Sequence, residues 1–224
     1  MTLAFDRFTL AASTADLSEL TDEITGADAV EFRMDLANRP LKQLESYSGD
    51  LPIIATNRAE WEGGDAPDEG RLHALAVAAE NPAVDAVDFE LRSLEKNENA
   101  DAFDTVRALD VSIIASVHDF DRTPSGSQIA RLLFSACQYG DVGKIAVTAT
   151  TRADVLTLLS ITHQFDTMGL TVATMAMGER GKHSRVVAPL YGSKIGYAPI
   201  RSAAATAPGQ FDLETLRQLI SALS

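Results

Sequence analysis

Along the chain, short apolar runs alternate with longer segments whose apolar residues recur at helical spacing. The runs are FTLAAS (8–13), AVEFRMD (29–35), PIIATNR (52–58), AVDFELR (86–92), SIIASVHD (112–119), GKIAVTA (143–149), TVATMAM (171–177) and KIGYAP (194–199). Near-continuous apolar runs of this length predict strands buried on both faces, as in a parallel sheet. The amphipathic segments between them are DLSELTDEIT, PLKQLESYS, GRLHALAVAAE, DAFDTVRALD, SQIARLLFSACQYG and RADVLTLLSITHQFDTMG. The chain closes with DLETLRQLISAL, in which Asp212 is the expected N-cap. Eight strands alternating with helices predict a parallel α/β fold. At 224 residues the count suits a (β/α)8 TIM barrel, with a doubly wound sheet as the other arrangement. No linker, low-complexity tract or internal repeat divides the chain, so residues 1–224 read as one barrel domain.

Composition narrows the function. The formal charge is −13, from 32 acidic and 19 basic residues, and only five of the basic residues are lysines. No basic cluster offsets this charge, which argues against nucleic acid and anionic membranes as partners. An acidic, lysine-poor surface is also what salt adaptation produces; a merely acidic protein is the plainer reading. Cys137 is the single cysteine, so no intrachain disulfide forms and a reducing compartment fits. Asp6 and Arg7 interrupt the first apolar stretch, where a signal peptide needs an unbroken one, and no run is long enough to span a bilayer. The expectation is a complete, cytoplasmic protein.

In a barrel, functional groups lie at the C-terminal ends of the strands and in the loops that follow. Polar residues do collect there. The second run ends in Glu31, Arg33 and Asp35, which share one face at period two. The third ends at Arg58 and leads into AEWEGG, with Glu62 and the flexible pair Gly63 and Gly64. The fifth ends in His118, and the seventh passes Met175 and Met177 into GERGKHSR, which reaches Arg185. Each has an ordinary structural reading: solvated strand ends, a Glu31–Arg33 ion pair closing the barrel, methionines as core fillers. His73 and His163 sit in helical patterns and His183 in a polar loop, where no special role is expected.

Lys144 raises the sharper question, because it lies inside the apolar run GKIAVTA. Its period-two neighbours Ala146 and Thr148 are small and leave room for a long side chain and a substrate carbon. A lysine in a partly desolvated pocket can act as a nucleophilic amine and form a Schiff base. The alternative is a snorkelling lysine paired with nearby Asp141. Residue pattern alone leaves both open.

Taken in order, EFRMD, TNRAEWEGG, SVHDF, KIAVTA, MAMGERGKHSR and ATAPGQ resemble the type I 3-dehydroquinate dehydratase family over nearly the whole chain. The resemblance implies a (β/α)8 barrel, a homodimer, and a lyase that dehydrates 3-dehydroquinate to 3-dehydroshikimate in the shikimate pathway, with no metal or organic cofactor. It implies that Lys144 forms an imine with the substrate ketone. It makes His118 the general base that removes the C2 proton, helps expel the C1 hydroxyl and assists imine formation and hydrolysis. Glu62 would orient that histidine, and Glu31, Arg33 and Arg58 would surround the substrate hydroxyls. Arg185 would grip the carboxylate, completed by Gln210, while Met175 and Met177 form an apolar wall. Two residues depart from the family pattern. Thr206 stands where Ser is common, and Tyr197 where Phe is usual; APIRSAAAT between them is slightly long. A class I Schiff-base aldolase and a non-catalytic ligand-binding barrel are the competing readings. The first would need a phosphate-binding loop after the seventh or eighth strand, where Arg185 with Gln210 suits a carboxylate better.

Overall fold

A computed structural model describes residues 3–20, 26–96, 99–200 and 209–223. Eight strands occur in the order the pattern predicts: β1 Thr9–Thr14, β2 Ala29–Arg33, β3 Ile53–Thr56, β4 Val84–Glu90, β5 Ser112–Asp119, β6 Val142–Thr148, β7 Val172–Met177 and β8 Ile195–Pro199. All paired neighbours run parallel, in the spatial order β7-β6-β5-β4-β3-β2-β1-β8. The two outer strands then meet. Lys194 N–H donates to the Val172 carbonyl at 2.7 Å, and the Ser193 hydroxyl accepts from Thr174 N–H at 2.9 Å. The sheet is thus a nearly closed (β/α)8 barrel, and the doubly wound alternative is set aside.

The helices are α1 Pro40–Ser46, α2 Arg71–Ala79, α3 Leu91–Leu94, α4 Ala100–Ala108, α5 Gly126–Tyr139, α6 Arg152–Thr167, α7 Gly178–Gly181, α8 Ser184–Val187 and α9 Leu213–Ser221. Capping boxes start α5 (Ser125 with Gln128) and α6 (Thr151 with Asp154), each satisfying backbone donors that helix N-termini leave open. Asp212 caps α9 by accepting from Thr215 N–H, as expected. The helix expected over DLSELTDEIT is described only as a 3-10 turn, Leu17–Glu19, capped by Asp16; residues 21–25 lie outside the described ones.

Outward strand residues pack under the helices: Val30, Phe32, Ile53 and Phe89 on one side of the barrel, Ile145, Val147 and Val172 on another. Inward residues are layered, because side chains on one face recur every second residue. Phe5, Ala11, Ala29, Ile54, Ala86, Ile114, Val142, Ala173 and Ile195 form an apolar floor. Two residues further along β1 to β6 the barrel turns polar, with Ser13, Glu31, Thr56, Asp88, Ser116 and Lys144, all buried, while β7 and β8 place Met175 and Tyr197 at that level.

Candidate active site

Lys144 belongs to that polar layer. Its stem is buried in β6, and its Nζ donates to Asp88 Oδ2 at 2.8 Å while lying 4.2 Å from the centre of the Tyr197 ring. The proposed pairing with Asp141 does not occur: that carboxylate accepts from Ile113 N–H at 2.8 Å. Asp88 also accepts from Arg58 Nη2 at 2.8 Å and from the Ser116 hydroxyl at 2.6 Å. Burial acts to raise the Asp88 pKa, but Arg58 and Lys144 outweigh it and hold the carboxyl below its ordinary range.

Arg58 in turn donates to Glu90 Oε1 at 2.9 Å and to Ser116 at 2.8 Å, and Glu90 accepts from Arg71 at 2.6 Å. Burial opposes the Arg58 charge, yet Asp88, Glu90 and Glu62 raise its pKa further. The network is a set of alternating charges, Arg58 after β3, Asp88 and Glu90 on β4, Arg71 on α2 and Lys144 on β6, bridged by the Ser116 hydroxyl of β5, each desolvated and each partnered, as buried ions must be.

His118 ends β5 at the rim. Its Nδ1 lies 2.8 Å from Glu62 Oε1, and its ring stacks on Phe120 at 6.0 Å and 15°. Glu62 closes a 3-10 turn, Glu60–Glu62, that ends at Gly63 with φ +80°; a Cβ there would stand 2.3 Å from the Phe120 ring. A glycine is needed for both reasons, and it lets the turn after Glu62 pass close against the Phe120 ring. Burial, reinforced by Arg58 and Lys144, lowers the His118 pKa well below 6.5. Burial also raises Glu62 to about 8, with Arg58 opposing and Glu90 and Asp88 adding to the effect. Desolvation therefore favours the neutral form of both partners at neutral pH.

One pocket gathers Glu31, Arg33, Arg58, Glu62, His118, Lys144, Met175, Met177, Arg185 and Gln210, so the structure brings together every site residue expected from sequence except one. Thr206 lies outside the described residues. Glu31 accepts from the Ser13 hydroxyl at 2.6 Å. Arg33 is held by Asp35 through two hydrogen bonds of 2.9 and 2.6 Å, so the supposed Glu31–Arg33 pair is replaced by an Arg33–Asp35 fork. Arg185, in α8, is buried, and burial lowers its pKa to about 10 against the opposing pull of Glu31. His183 is exposed, and His163 meets Tyr191 edge-on at 6.4 Å, far from any such role.

Sequence reasoning missed Asp88, Glu90, Ser116, Arg71 and the pocket-lining Phe120; Tyr197, noted only as a departure from the family's Phe, also lines the pocket. A signal for the carboxylates was present: Asp88 and Glu90 alternate within the apolar run AVDFELR, and two desolvated carboxylates on one inward face require cations.

Ionisable and apolar groups converging at the C-terminal mouth of a (β/α)8 barrel make the chain a barrel enzyme acting on a small polar molecule. Comparison with known proteins narrows this to one reaction. The type I 3-dehydroquinase family model matches residues 8–224, and the chain belongs to that family. It is 50% identical to the 3-dehydroquinate dehydratase of Halobacterium salinarum, over 99% of this chain and 100% of that protein. It is 51% identical to that of Haloarcula marismortui, over 98% and 97%. The crystal structure of 3-dehydroquinate dehydratase from Geobacillus kaustophilus superposes with a TM-score of 0.83 at 27% identity, covering 97% of this chain and 91% of that one. The type I enzyme from Clostridium difficile, solved with covalently modified comenic acid, gives 0.83 at 26% identity, over 97% and 92%. The chain is accordingly a hydro-lyase of the shikimate pathway that acts on 3-dehydroquinate, and the aldolase and non-catalytic readings are set aside. Its acidic, lysine-poor composition accords with its halophilic relatives. Among the described residues no helix is long and apolar enough to cross a membrane.

Proposed function

We propose that dehydration proceeds through a Schiff base on Lys144, with His118 as general acid and base. The observation that carries this reading is a buried amine in the same pocket as an imidazole that burial keeps neutral. Attack of the Lys144 amine on the substrate ketone, with uptake of one proton from solvent and loss of water, gives a protonated imine, and the later hydrolysis returns that proton. That imine draws electrons and acidifies the adjacent C2–H. With His118 Nδ1–H donating to Glu62, the lone pair on Nε2 is free to take the C2 proton. The same proton then leaves with the C1 hydroxyl as water, and hydrolysis of the imine consumes one water to release 3-dehydroshikimate and the amine.

Glu62 acts here as a positioning residue, fixing the imidazole tautomer. Asp88 holds the amine at the height of the ketone. Arg185, with Gln210, receives the carboxylate, a bidentate task suited to guanidinium. Glu31, Arg33 and Arg58 face the hydroxyls, and Met175 and Met177 pack against the carbocycle. No cofactor or metal enters this scheme. A second copy of the chain as partner belongs to the same reading, and light scattering in high salt tests it.

The mechanism is tested by incubating the enzyme with 3-dehydroquinate in high salt, reducing with borohydride and mapping the adduct by peptide mass spectrometry. A substrate-derived mass on Lys144 is expected. Turnover with Lys144 unmodified would refute the imine.

A further inference from the structure

Two buried polar atoms of the pocket have no hydrogen-bond partner: Nε of Arg185 and the hydroxyl of Tyr197. Tyr197 stands one inward position above Ile195 on β8, with its ring beneath the Lys144 amine. Both residues line the pocket, and both also line a narrow recess behind it where β7 meets β8. Buried donors are rarely left unpaired in folded proteins, because each forfeits its hydrogen bonds to water. Both donors belong to residues lining the same pocket, and the described residues supply neither with an acceptor. Burial and the nearby carboxylates of Asp88 and Glu31 raise the phenol pKa well above 10, so the hydroxyl stays protonated and able to donate. A phenylalanine of the same shape would have filled the space without this desolvation cost.

We propose that the Tyr197 hydroxyl contacts the substrate, donating a hydrogen bond beside Arg185 to a carboxylate oxygen of bound 3-dehydroquinate, and so helps select ligands that carry a carboxylate. This rests on the reading of Arg185 as the carboxylate clamp. The aromatic ring supports the Lys144 amine, and the hydroxyl is the part that reads the ligand.

Tyr197→Phe tests this, because it keeps the ring and removes one oxygen. A hydrogen bond to a charged acceptor is worth roughly 10- to 100-fold in affinity. KM for 3-dehydroquinate and Kd for 3-dehydroshikimate should rise by about 10-fold or more, with the loss in KM rather than kcat. The borohydride adduct on Lys144 should still form. Melting of the unliganded variant should be unchanged or higher than wild type, since no protein partner is lost. For an analogue with hydrogen in place of the carboxylate, wild type and variant should bind alike. Unchanged KM, or an equal penalty on the carboxylate-free analogue, overturns the proposal; so does a lower melting temperature with unchanged KM, which assigns the hydroxyl to the fold. Arg185→Lys separates the two readings. If it leaves KM unchanged, the clamp itself fails. If it raises KM while Tyr197→Phe does not, only the role of the hydroxyl is overturned.

Discussion

Glu62→Gln turns the burial of a single carboxyl group into a measurable dependence of stability on pH. In the folded protein, burial raises the Glu62 pKa from 4.5 to about 8. In the unfolded chain the group ionises near its ordinary value. Between these limits the folded state holds a proton that the unfolded chain has released. The stability contributed by this group is therefore fully present below pH 4.5 and is lost as pH rises toward 8. At about 1.4 kcal/mol per pH unit, the loss between pH 5 and pH 8.5 comes to about 4 kcal/mol. Glutamine keeps the shape and one acceptor for His118 but cannot ionise. Urea unfolding of both proteins, at pH 5 and pH 8.5 in constant high potassium chloride, gives a double difference in which every other titrating group cancels. The variant should gain on wild type by about 4 kcal/mol across that interval, while its turnover falls because the imidazole has lost its ionisable partner. A double difference within about 1 kcal/mol of zero would show that burial does not control this carboxyl group, and that Arg58, 3.8 Å away, keeps it ionised.

Other outcomes follow from the same geometry. Gly63→Ala strains a φ of +80° and drives a methyl group into Phe120, so it should cost about 1–3 kcal/mol in urea unfolding and lower kcat by displacing the ring from His118. Asp88→Asn removes the shared counter-ion of Lys144 and Arg58; chemical denaturation should show a loss of about 3–5 kcal/mol, and borohydride trapping should slow. Because the His118 pKa is lowered, the acid limb of the kcat/KM profile should fall below pH 6.5, and an acid limb at or above that value contradicts a desolvated imidazole. With a formal charge of −13, the urea midpoint should rise between 0.15 M and 2 M potassium chloride as self-repulsion is screened; an unchanged midpoint would leave the acidic surface without a stabilising response to salt.

The strands could be read from the sequence to within about two residues, because each is a local run buried on both faces. SIIASVHD coincides with β5, and AVDFELR misses β4 by two residues. Lys144 and His118 stood out because one interrupts and the other ends an apolar stretch, whereas Arg185 lies in the polar segment GERGKHSR and was singled out by the family resemblance. What the sequence hid was partnership. Local spacing offers Lys144 only Asp141, three residues away, as one of its two open readings, but its carboxylate is Asp88, 56 residues earlier, delivered by the lateral order of β4, β5 and β6. Arg33 was paired with Glu31 by period two, but the chain leaves the strand at Arg33 and turns Asp35 back onto it. Spacing indicates which face a side chain occupies within one strand; register across strands decides which charge it meets.

The junction between β7 and β8 sets a further condition on catalysis. The other neighbouring strands pair in parallel ladders, whereas here, among the described residues, the Lys194–Val172 backbone hydrogen bond and the Ser193 hydroxyl join the two borders. Met175 and Met177 sit on one border and Tyr197 on the other, with Arg185 and Gln210 in the segments that follow each. A substrate held as proposed would touch both sides and fasten the barrel like a clasp. Ligand occupancy would then tighten the least-laced joint of the cylinder, so saturating substrate would be as much a part of the barrel's closure as Lys194 or Ser193.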